Sequence, residues 1–354
     1  MIMKIIVDIM GGDNAPEETV KGAILAAREF PDVSFLWVGN RADMERIAKE
    51  NEFLLDGIEI VHTESVITME DNPVLVVRGK QDSSMSVALK LLAEGKGDAV
   101  VSTGNTGALF TGANLIVRKL KGVLRPALGA ILPMENPVLL MDTGANVTVT
   151  EENLEQFGVM GAAYMHKMYG IDMPRVGLLN NGAEECKGTE LQQAAHQRLK
   201  NNPDVHFVGN IEGNGVAFGT CDVLVTDGFT GNIFLKGTEG LGKLLLGKLK
   251  SMFKSAPLGF LAYLILKKQI LGMKKQFDSS EHGGAPILGV AHPVIKAHGS
   301  SNAKAFKNAI RQAINYVNSG VTEELAAAAL QYAERRRAEQ EKRKAEKQAS
   351  EGQG

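Results

Sequence analysis

The sequence predicts an α/β fold with a mostly parallel sheet, and three observations lead to this prediction. Short apolar runs alternate with amphipathic helical stretches along most of the chain, which is typical of parallel strands joined by helices. Runs such as Ala99–Ser102 are apolar almost throughout, as strands are when helices cover both faces of a sheet. The 39 glycines among 354 residues fit many tight strand-to-helix turns better than disorder, because apolar residues still make up 44% of the chain.

The predicted elements follow one another in a regular order. Pro16–Glu18 opens the first helix, since proline and acidic residues suit a first turn. His166 and Lys167 suit the negative end of a long helix, and Ser300 or Ser301 is the expected N-cap of the last one. The predicted strands are Lys4–Val7, Ser34–Val38, Ile58–His62, Ala99–Ser102, Val138–Met141, Val176–Leu179, Val205–Val208 and Val223–Val225. The predicted helices are Pro16–Phe30, Ala42–Glu50, Ser84–Glu94, Glu151–Tyr169 and Asn302–Val317, with further helices behind the loops that follow the strands at 99–102, 176–179 and 223–225.

Five predicted strands run into loops of small and polar residues. These loops are Asp8–Asp13, Ser102–Thr106, Asp142–Asn146, Asn180–Gly188 and Thr226–Asn232. In open parallel sheets such turns lie at the carboxyl ends of the strands, where the ligand crevice also lies. We therefore expect the five loops to face one cleft. Taken alone, the loop Ser102–Thr106 is equally well explained as an anion cradle of backbone N–H groups or as a tight turn capped by hydroxyls, and its repetition along the chain favours the anion cradle.

The totals of the chain exclude several classes of function. A net charge of −2 and a pI of about 6.4 give no global field for nucleic acid, so we expect no nucleic-acid partner. Two cysteines, Cys186 and Cys221, make neither a disulfide framework nor a zinc site. The N-terminus enters a strand directly without a leader pattern, which favours a cytoplasmic setting.

Several familiar motifs are absent or fail on inspection. No G-x-G-x-x-G follows the first strand, so a dinucleotide cofactor is not expected. Gly237–Lys243 copies the spacing of a P-loop, but Leu244 stands where a Mg²⁺-binding hydroxyl is required. The seven histidines lack ligand spacing, so we predict no metal and no cofactor.

The segment Leu241–Phe277 is unusual because it carries eight lysines, many large apolar residues and no acidic residue. Pro257 and Gly259 interrupt the pattern, which indicates two helices folded as a hairpin. Its uncharged run, Ser255–Leu266, is shorter than the roughly 20 residues that span a bilayer. Lysines beside apolar residues favour an amphipathic element at a membrane surface, with burial against a second subunit as the alternative. The expected membrane-contact residues are Leu258, Phe260, Leu261 and Leu264.

A domain boundary is predicted after Leu330, because large aliphatic residues are absent beyond it. Residues 1–330 are expected to form one α/β domain that includes the hairpin, 241–277. Residues 331–354 are rich in Lys, Arg and Glu, which predicts a solvated tail, either a frayed helix or disordered.

Nine motifs, spread from about Met3 to Leu330, together resemble the phosphate acyltransferase family of bacterial phospholipid synthesis. They are Asp8-Ile-Met-Gly-Gly-Asp13, Ser102-Thr-Gly-Asn-Thr-Gly-Ala108, Arg125-Pro-Ala-Leu128, Asp142-Thr-Gly-Ala-Asn146, Glu184-Glu-Cys-Lys-Gly188, Gly209-Asn-Ile-Glu-Gly213, Thr226-Asp-Gly-Phe-Thr-Gly-Asn232 with Lys236, Gly283-Gly-Ala-Pro-Ile-Leu-Gly289 and Lys296-Ala-His-Gly-Ser-Ser301. The resemblance implies a three-layer α/β sandwich like the isocitrate dehydrogenase and phosphotransacetylase group. It also implies transfer of a fatty acyl group from acyl carrier protein to inorganic phosphate.

The resemblance further implies the partners of the chain: acyl carrier protein, inorganic phosphate, a second copy in a homodimer, an anionic membrane surface and a downstream membrane acyltransferase. The hairpin region is associated in that family with membrane docking. Two departures stand out: the charged tail, and Cys186 in a loop where a non-thiol residue is expected.

The expected site residues divide by role. The catalytic residues are Lys187, Asp227 and Asn232. The substrate- and phosphate-binding residues are Asp8, Gly12, Ser102, Thr103, Gly104, Asn105, Thr106, Arg125, Asp142, Asn146, Gly228, Lys236 and His298. Phosphate is expected to attack the thioester carbonyl directly, since a thioester is already activated and positioning supplies much of the rate.

Several roles stay open at this stage. Either Asn232 or Lys187 stabilises the oxyanion, and Asp227 either orients the lysine or accepts a proton. Asp8 and Asp142 suit structural caps as well as ligand contacts, since Asp in a turn commonly bonds nearby backbone. His298 is as readily explained by packing as by catalysis. The alternative functions are a phosphotransacetylase-like or dehydrogenase-like enzyme on a soluble metabolite, and a membrane-bound scaffold.

Overall fold

Eleven strands form one mixed sheet in the computed structural model, which describes residues 2–255, 258–277 and 283–351. The strands are β1 Lys4–Asp8, β2 Ser34–Gly39, β3 Ile58–His62, β4 Ala99–Ser102, β5 Ala127–Pro133, β6 Pro137–Met141, β7 Arg175–Asn180, β8 His206–Glu212, β9 Val223–Val225, β10 Ala285–Leu288 and β11 Val294–Lys296. Their order across the sheet is β3-β2-β1-β4-β11-β10-β5-β6-β9-β7-β8. Every predicted strand is present, and β5, β10 and β11 are strands that the sequence analysis did not identify.

Helices cover both faces of the sheet. They are α1 Glu17–Glu29, α2 Arg41–Glu50, α3 Ser84–Ala93, α4 Thr106–Gly112, α5 Glu151–Tyr169, α6 Glu190–Lys200, α7 Gly228–Ser255, α8 Gly259–Phe277, α9 Ala303–Ser319 and α10 Val321–Glu351. A π-helical segment, Ala113–Arg118, continues α4, and short 3₁₀ turns span Pro73–Val76 and Gly215–Phe218. The N-cap of α9 is Asn302, which accepts from the Ala305 N–H at 2.9 Å, so the prediction of Ser300 or Ser301 is wrong.

Alternation along the strands builds two apolar layers. Within β1, Ile5 and Val7 join the core beneath α1, α2, α5, α6 and α9, while Ile6 faces α3 and α4. Successive side chains of a strand point to opposite faces, so one buried strand supplies both cores. The predicted three-layer α/β sandwich with a mostly parallel sheet is confirmed.

The direction of the strands divides the sheet in two. β1–β4 and β11 are parallel to one another, and β6–β9 are parallel to one another. Between the groups, β10 pairs antiparallel with β11 and β5, and β5 pairs antiparallel with β6. The two groups therefore run in opposite directions. We call the edge where β1, β4 and β11 end the first edge, and the opposite edge, where β6, β7 and β9 end, the second edge.

This arrangement corrects the expectation of a single cleft. The loops Asp8–Asp13 and Ser102–Thr106 lie at the first edge. The loops Asp142–Asn146, Asn180–Gly188 and Thr226–Asn232 lie at the second. The prediction that all five face one cleft within one chain is wrong, because it assumed a sheet whose strands share one direction.

The hairpin consists of the outer part of α7 and all of α8. The two helices pack on each other, with the rings of Phe253 and Tyr263 edge to face at 6.1 Å. α7 ends at Ser255 and α8 begins at Gly259, while Pro257, at the predicted break, lies outside the described residues. Among the described residues, no helix is long and apolar enough to cross a membrane.

The charged C-terminal segment is helical rather than a separate unit. α10 runs across residue 330 without a break, so the predicted division there is not a structural boundary. Tyr332 is buried and donates from its hydroxyl to Glu155 at 3.0 Å, and Arg335 and Arg336 pair with acidic residues of the domain. The first two turns beyond residue 330 therefore belong to the folded body.

Candidate active site

The carboxylate of Asp142, at the second edge, accepts hydrogen bonds from four backbone N–H groups. Its carboxylate accepts from the N–H groups of Gly144, Ala145 and Asn146 at 3.2, 3.1 and 2.6 Å, and from Leu128 N–H at 3.2 Å. Burial raises the pKa of this carboxyl, although these hydrogen bonds favour the ionised form. The contacts fit the interpretation of Asp142 as a structural cap.

Asn146 holds the same loop from its other side. Its amide donates to the Pro126 carbonyl at 2.9 Å and to Asp142 at 2.8 Å. Arg125, just before that proline, is exposed and donates to the Thr148 carbonyl at 3.2 Å. A guanidinium is thus held at the rim of the second edge without an acidic partner in that contact.

The start of α7 is locked onto this loop. Gly228 N–H donates to the Asn146 carbonyl at 2.8 Å. A Cβ added to Gly231 would lie 1.9 Å from the Asp142 carbonyl oxygen, so only glycine permits this approach. The side chain of Asn232 lies against Gly144, at 3.6 Å from the position of an added Cβ.

Asp227 and Lys236 flank Asn232 in the sequence. The Asp227 carboxylate accepts from the backbone N–H and the hydroxyl of Thr230 at 2.8 and 2.7 Å, which caps the first turn of α7. Lys236 lies one turn beyond Asn232 and is exposed.

The loop after β7 completes a cavity of about 580 Å³. The cavity lies between this loop, α6 and the root of α7, and its lining combines apolar and amide or hydroxyl side chains. The lining residues are Leu179, Asn180, Asn181, Gly188, Thr189, Gln192, Thr230, Ile233 and Phe234. Lys187 is exposed beside it, its aliphatic stem seated on Gly182, where an added Cβ would lie 2.7 Å from Lys187 Cγ. The structure therefore brings the loops of Lys187, Asp227 and Asn232 to one edge.

The first edge is built around a second buried carboxylate. Asp8 is fully buried and accepts from the Ser102 hydroxyl at 2.6 Å and from Met10 N–H at 3.3 Å. Burial raises the pKa of Asp8, and hydrogen bonds oppose the shift. Thr103 donates from its hydroxyl to the Gly11 carbonyl, which ties the two loops together. Like Asp142, Asp8 therefore uses its carboxylate for hydrogen bonds within the protein, here to its own loop and to the loop of Ser102.

The glycines of the first edge permit close backbone approach. Gly12 has a φ of +93°, and an added Cβ would lie 2.7 Å from the Thr103 hydroxyl oxygen. Gly104 approaches Gly11 so closely that a Cβ added to Gly11 would lie 2.7 Å from Gly104 N. The backbones of the two loops at the first edge are therefore in close contact.

The remaining predicted residues of the first edge differ in their burial and in the hydrogen bonds that they make. Asn105 caps α4 by accepting from Ala108 N–H at 3.1 Å, and its amide donates to three carbonyls of the 68–71 turn. Thr106 is half-buried, and His298 is exposed with its Nδ1 at 2.9 Å from the Ser300 hydroxyl. Asn105 therefore connects two parts of the backbone, while His298 faces solvent at the first edge.

Lys296 is a residue that the sequence analysis did not select. It ends β11, is 7% exposed, and donates to the carbonyls of Thr103 (3.1 Å) and Ala297. Burial lowers its pKa to about 8, while Asp13 and Asp8 oppose the shift. The sequence signal for this residue is a single lysine at the end of the short apolar run Val294–Lys296, where the motif Lys296–Ser301 begins.

The described residues offer no evident metal site. No group of three or more His, Cys, Asp or Glu side chains is arranged to hold a metal ion in the part of the chain that the structure describes. Cys221 is buried, and Cys186 is exposed in the Lys187 loop.

Comparisons of the sequence give a consistent family. A model described as "Fatty acid synthesis protein" matches residues 3–324. A phosphate acyltransferase of Dictyoglomus turgidum is 43% identical over 325 residues, covering 91% of this chain and 96% of the relative. A phosphate acyltransferase of Acetivibrio thermocellus is 45% identical over 318 residues, covering 90% and 94%.

Solved structures of other proteins share the fold. A phosphotransacetylase from Streptococcus pyogenes superposes with a TM-score of 0.57 at 18% identity, covering 94% of both chains. A 4-hydroxythreonine-4-phosphate dehydrogenase from Klebsiella pneumoniae gives a TM-score of 0.54 at 12% identity, covering 90% of this chain and all of that one. At these identities the likeness concerns the fold alone.

Proposed function

Since the chain belongs to the phosphate acyltransferase family, we propose that it transfers a fatty acyl group from acyl carrier protein to inorganic phosphate. The product is an acyl phosphate for phospholipid synthesis, which a membrane acyltransferase consumes. The chain needs no cofactor for this reaction, because the thioester already carries the activation. Family membership supports acyl transfer to phosphate, and the choice of acyl carrier protein as donor is our proposal.

The observation that carries the proposal is the cavity at the second edge. Gly188 and Thr189, directly after Lys187, line one side of it, and Thr230, whose hydroxyl donates to Asp227, lines another. Asn232 lies two residues beyond Thr230, with its side chain against Gly144. Apolar walls from Leu179 and Phe234 complete it. A few polar groups converging on a largely apolar pocket are typical of a site that binds an amphipathic substrate.

The proposed chemistry is a direct displacement. A phosphate oxygen attacks the thioester carbonyl, a C–O bond forms, and the oxyanion collapses with cleavage of the C–S bond. The electron pair leaves on sulfur, which takes up a proton. Lys187 offsets the charge of phosphate, Asn232 or Lys187 donates to the oxyanion, and Asp227 orients the lysine or accepts a phosphate proton.

The test is an assay of acyl phosphate formed from acyl carrier protein thioester and phosphate. Lys187→Ala, Asp227→Ala and Asn232→Ala should each lower kcat at least about tenfold, the effect of losing a transition-state contact worth about 1.4 kcal/mol. Cys186→Ser is the matched control in the same loop and should keep substantial activity. Near wild-type rates in all three variants, or an acyl group trapped on Cys186, would contradict the mechanism.

We also propose that the enzyme is a homodimer in which a first edge faces a second edge of the partner. This is supported by the opposed strand directions, which keep the two groups of loops apart within one chain. Exposed apolar residues at the root of α7, Phe229 and Ile233, offer a surface for a second copy. The phosphate-binding residues expected at the first edge would then complete the site.

A mixed dimer tests this arrangement. A His298→Ala chain and a Lys187→Ala chain, co-expressed with different tags, should form a heterodimer with one intact site and about half the wild-type activity. Each parent homodimer should keep at most about a tenth of the wild-type activity. A heterodimer as inactive as its parents would mean that each site lies within one chain.

We further propose that this cytoplasmic enzyme docks peripherally on anionic membranes through the hairpin. Its support is the exposure of apolar side chains beside lysines: Leu258, Phe260, Leu261 and Leu264 are 73, 72, 55 and 49% exposed. A lysine near an anionic surface contributes about 1 kcal/mol, which salt screens. Burial of one leucine or phenylalanine adds about 1.5–3 kcal/mol, which salt does not weaken.

Vesicle sedimentation separates the two contributions. The protein should sediment with anionic vesicles, dissociate partly at high salt and bind neutral vesicles weakly. Replacing Leu258 and Leu261 with Glu should abolish sedimentation and spare activity on the soluble carrier substrate. Inactive monomers that still bind vesicles would identify the hairpin as a dimerisation arm instead.

A further inference from the structure

We propose that three side-chain amides, those of Asn180, Gln193 and Asn210, position Lys187 by fixing the backbone of the loop that carries it. The inference rests on the catalytic role proposed above for Lys187. It concerns how the loop is held: Gln193 and Asn210 are not among the residues that line the cavity, and Asn180, which is, acts here through its hydrogen bond to the loop backbone.

The three amides bind four carbonyls of the Glu184–Gly188 loop. Asn180 donates to the Lys187 carbonyl at 3.2 Å, and Asn210 donates to the Glu184 carbonyl at 2.8 Å. Gln193 donates to the carbonyls on both sides of Lys187, that of Cys186 at 2.8 Å and that of Gly188 at 3.3 Å. The donors belong to β7, β8 and α6, so the loop is fixed against three elements at once.

The orientation of the Asn210 amide is itself determined. Its nitrogen donates to the Glu184 carbonyl, so its oxygen must be the atom that faces His196 Nδ1 at 2.9 Å. That oxygen can only accept, and His196 Nδ1 therefore carries a proton. His196 is 3% exposed, and its ring packs edge-on against Phe207 at 5.0 Å. Because the ring is enclosed in this way, it cannot rotate easily away from the Asn210 oxygen.

The fixed backbone also fixes the direction of the lysine side chain. The Lys187 N–H donates to the Glu184 carbonyl at 3.1 Å, the same oxygen that Asn210 holds. The stem of Lys187 then lies on the bare backbone of Gly182. Loop and stem together place the ammonium, and a displacement of about 1 Å of a reacting group can cost about a hundredfold in rate.

Gln193 offers the cleanest test because it is exposed and its loss leaves no hole in the core. Gln193→Leu keeps a forked side chain of similar bulk, one bond shorter, and removes both loop contacts. The matched control is Gln197→Leu, one turn further along α6, whose amide faces the Glu185 carboxylate at 3.5 Å instead of a loop carbonyl. Both variants are measured for kcat and KM for phosphate, for thermal midpoint, and for hydrogen exchange of the 182–189 segment.

We expect Gln193→Leu to speed exchange of that segment at least about fivefold and to lower kcat about tenfold with an unchanged thermal midpoint. Gln197→Leu should change neither quantity. In a Lys187→Ala background, Gln193→Leu should have no further effect on kcat, since the positioned group is already gone.

Each other outcome identifies what has failed. Unchanged exchange in Gln193→Leu would overturn the inference whatever the activity. Faster exchange with unchanged kcat, where Lys187→Ala is impaired, would overturn it too, because the loop would then move without consequence. If Lys187→Ala itself keeps full activity, the proposed catalytic role fails first and the positioning role with it.

Discussion

Lys296 gives the sharpest prediction about the electrostatics of the first edge. Lys296→Met keeps an unbranched side chain of similar length and removes the charge. The ammonium of the wild-type residue is almost fully buried, and burial lowers its pKa from 10.5 to about 8. Asp8 and Asp13 oppose that shift but do not cancel it.

The sign of the resulting pH dependence follows from proton binding. Between about pH 8 and pH 10.5 the unfolded chain holds a proton on this lysine that the folded chain has already released. Stability therefore rises with pH across this window, and the cost of the buried charge is fully present below it. Between pH 7 and pH 9.5 the wild-type protein should gain about 2 kcal/mol relative to Lys296→Met.

Urea unfolding at the two pH values measures this difference. Trp37 is the only tryptophan and is fully buried in the sheet, so its fluorescence reports loss of the core. Protein concentration is held constant, since association alters apparent stability. Lys49→Met, on the exposed side of α2, is the control and should follow the wild-type pH profile. Parallel profiles for wild type and Lys296→Met would refute the reasoning.

Two further predictions concern packing, and thermal or urea unfolding checks both. Gly231→Ala should destabilise the protein by about 3 kcal/mol or more, because its Cβ would lie 1.9 Å from a carbonyl oxygen of the loop after β6. Gly237→Ala, in open space on the same helix, should instead stabilise by up to about 1 kcal/mol, and equal effects would contradict the contact. Deleting residues 331–354 should cost about 3–5 kcal/mol through loss of buried Tyr332, whereas deleting residues 338–354 should change stability little. Equal stability of the two truncated chains would mean that the turns beyond residue 330 do not contribute.

The elements that the sequence predicts well are those with a strong local pattern. Ile58–His62, Ala99–Ser102 and Val223–Val225 have the same limits in prediction and structure. β5 was not identified because Pro126 precedes it, Gly129 interrupts it and Pro133 ends it. β10 was not identified because Pro286 lies within it and two glycines precede it. These two strands reverse the direction of the sheet, so missing them led to the expectation of one cleft.

The sequence likewise predicts some features of the candidate site and not others. Loop composition identifies the loops but not which contacts their side chains make. Asp8 accepts from the Ser102 hydroxyl of the neighbouring loop, and Asp142 accepts from the Asn146 N–H of its own loop. Lys296 was not predicted as a site residue because its ammonium binds the carbonyl of Thr103, which lies 193 residues away in the chain. Such long-range contacts leave no local signal.

The glycines of α7 determine how firmly its outer half is helical. Gly237, Gly240 and Gly247 all face open space, so no close packing requires them. Each costs about 1 kcal/mol of helix stability relative to alanine. We therefore expect the part of α7 beyond Gly237 to depend on its contact with α8, and the two helices to open together below the free energy of global unfolding. Such opening should leave the Asp142–Asn146 loop in place, since the first turn of α7 holds it.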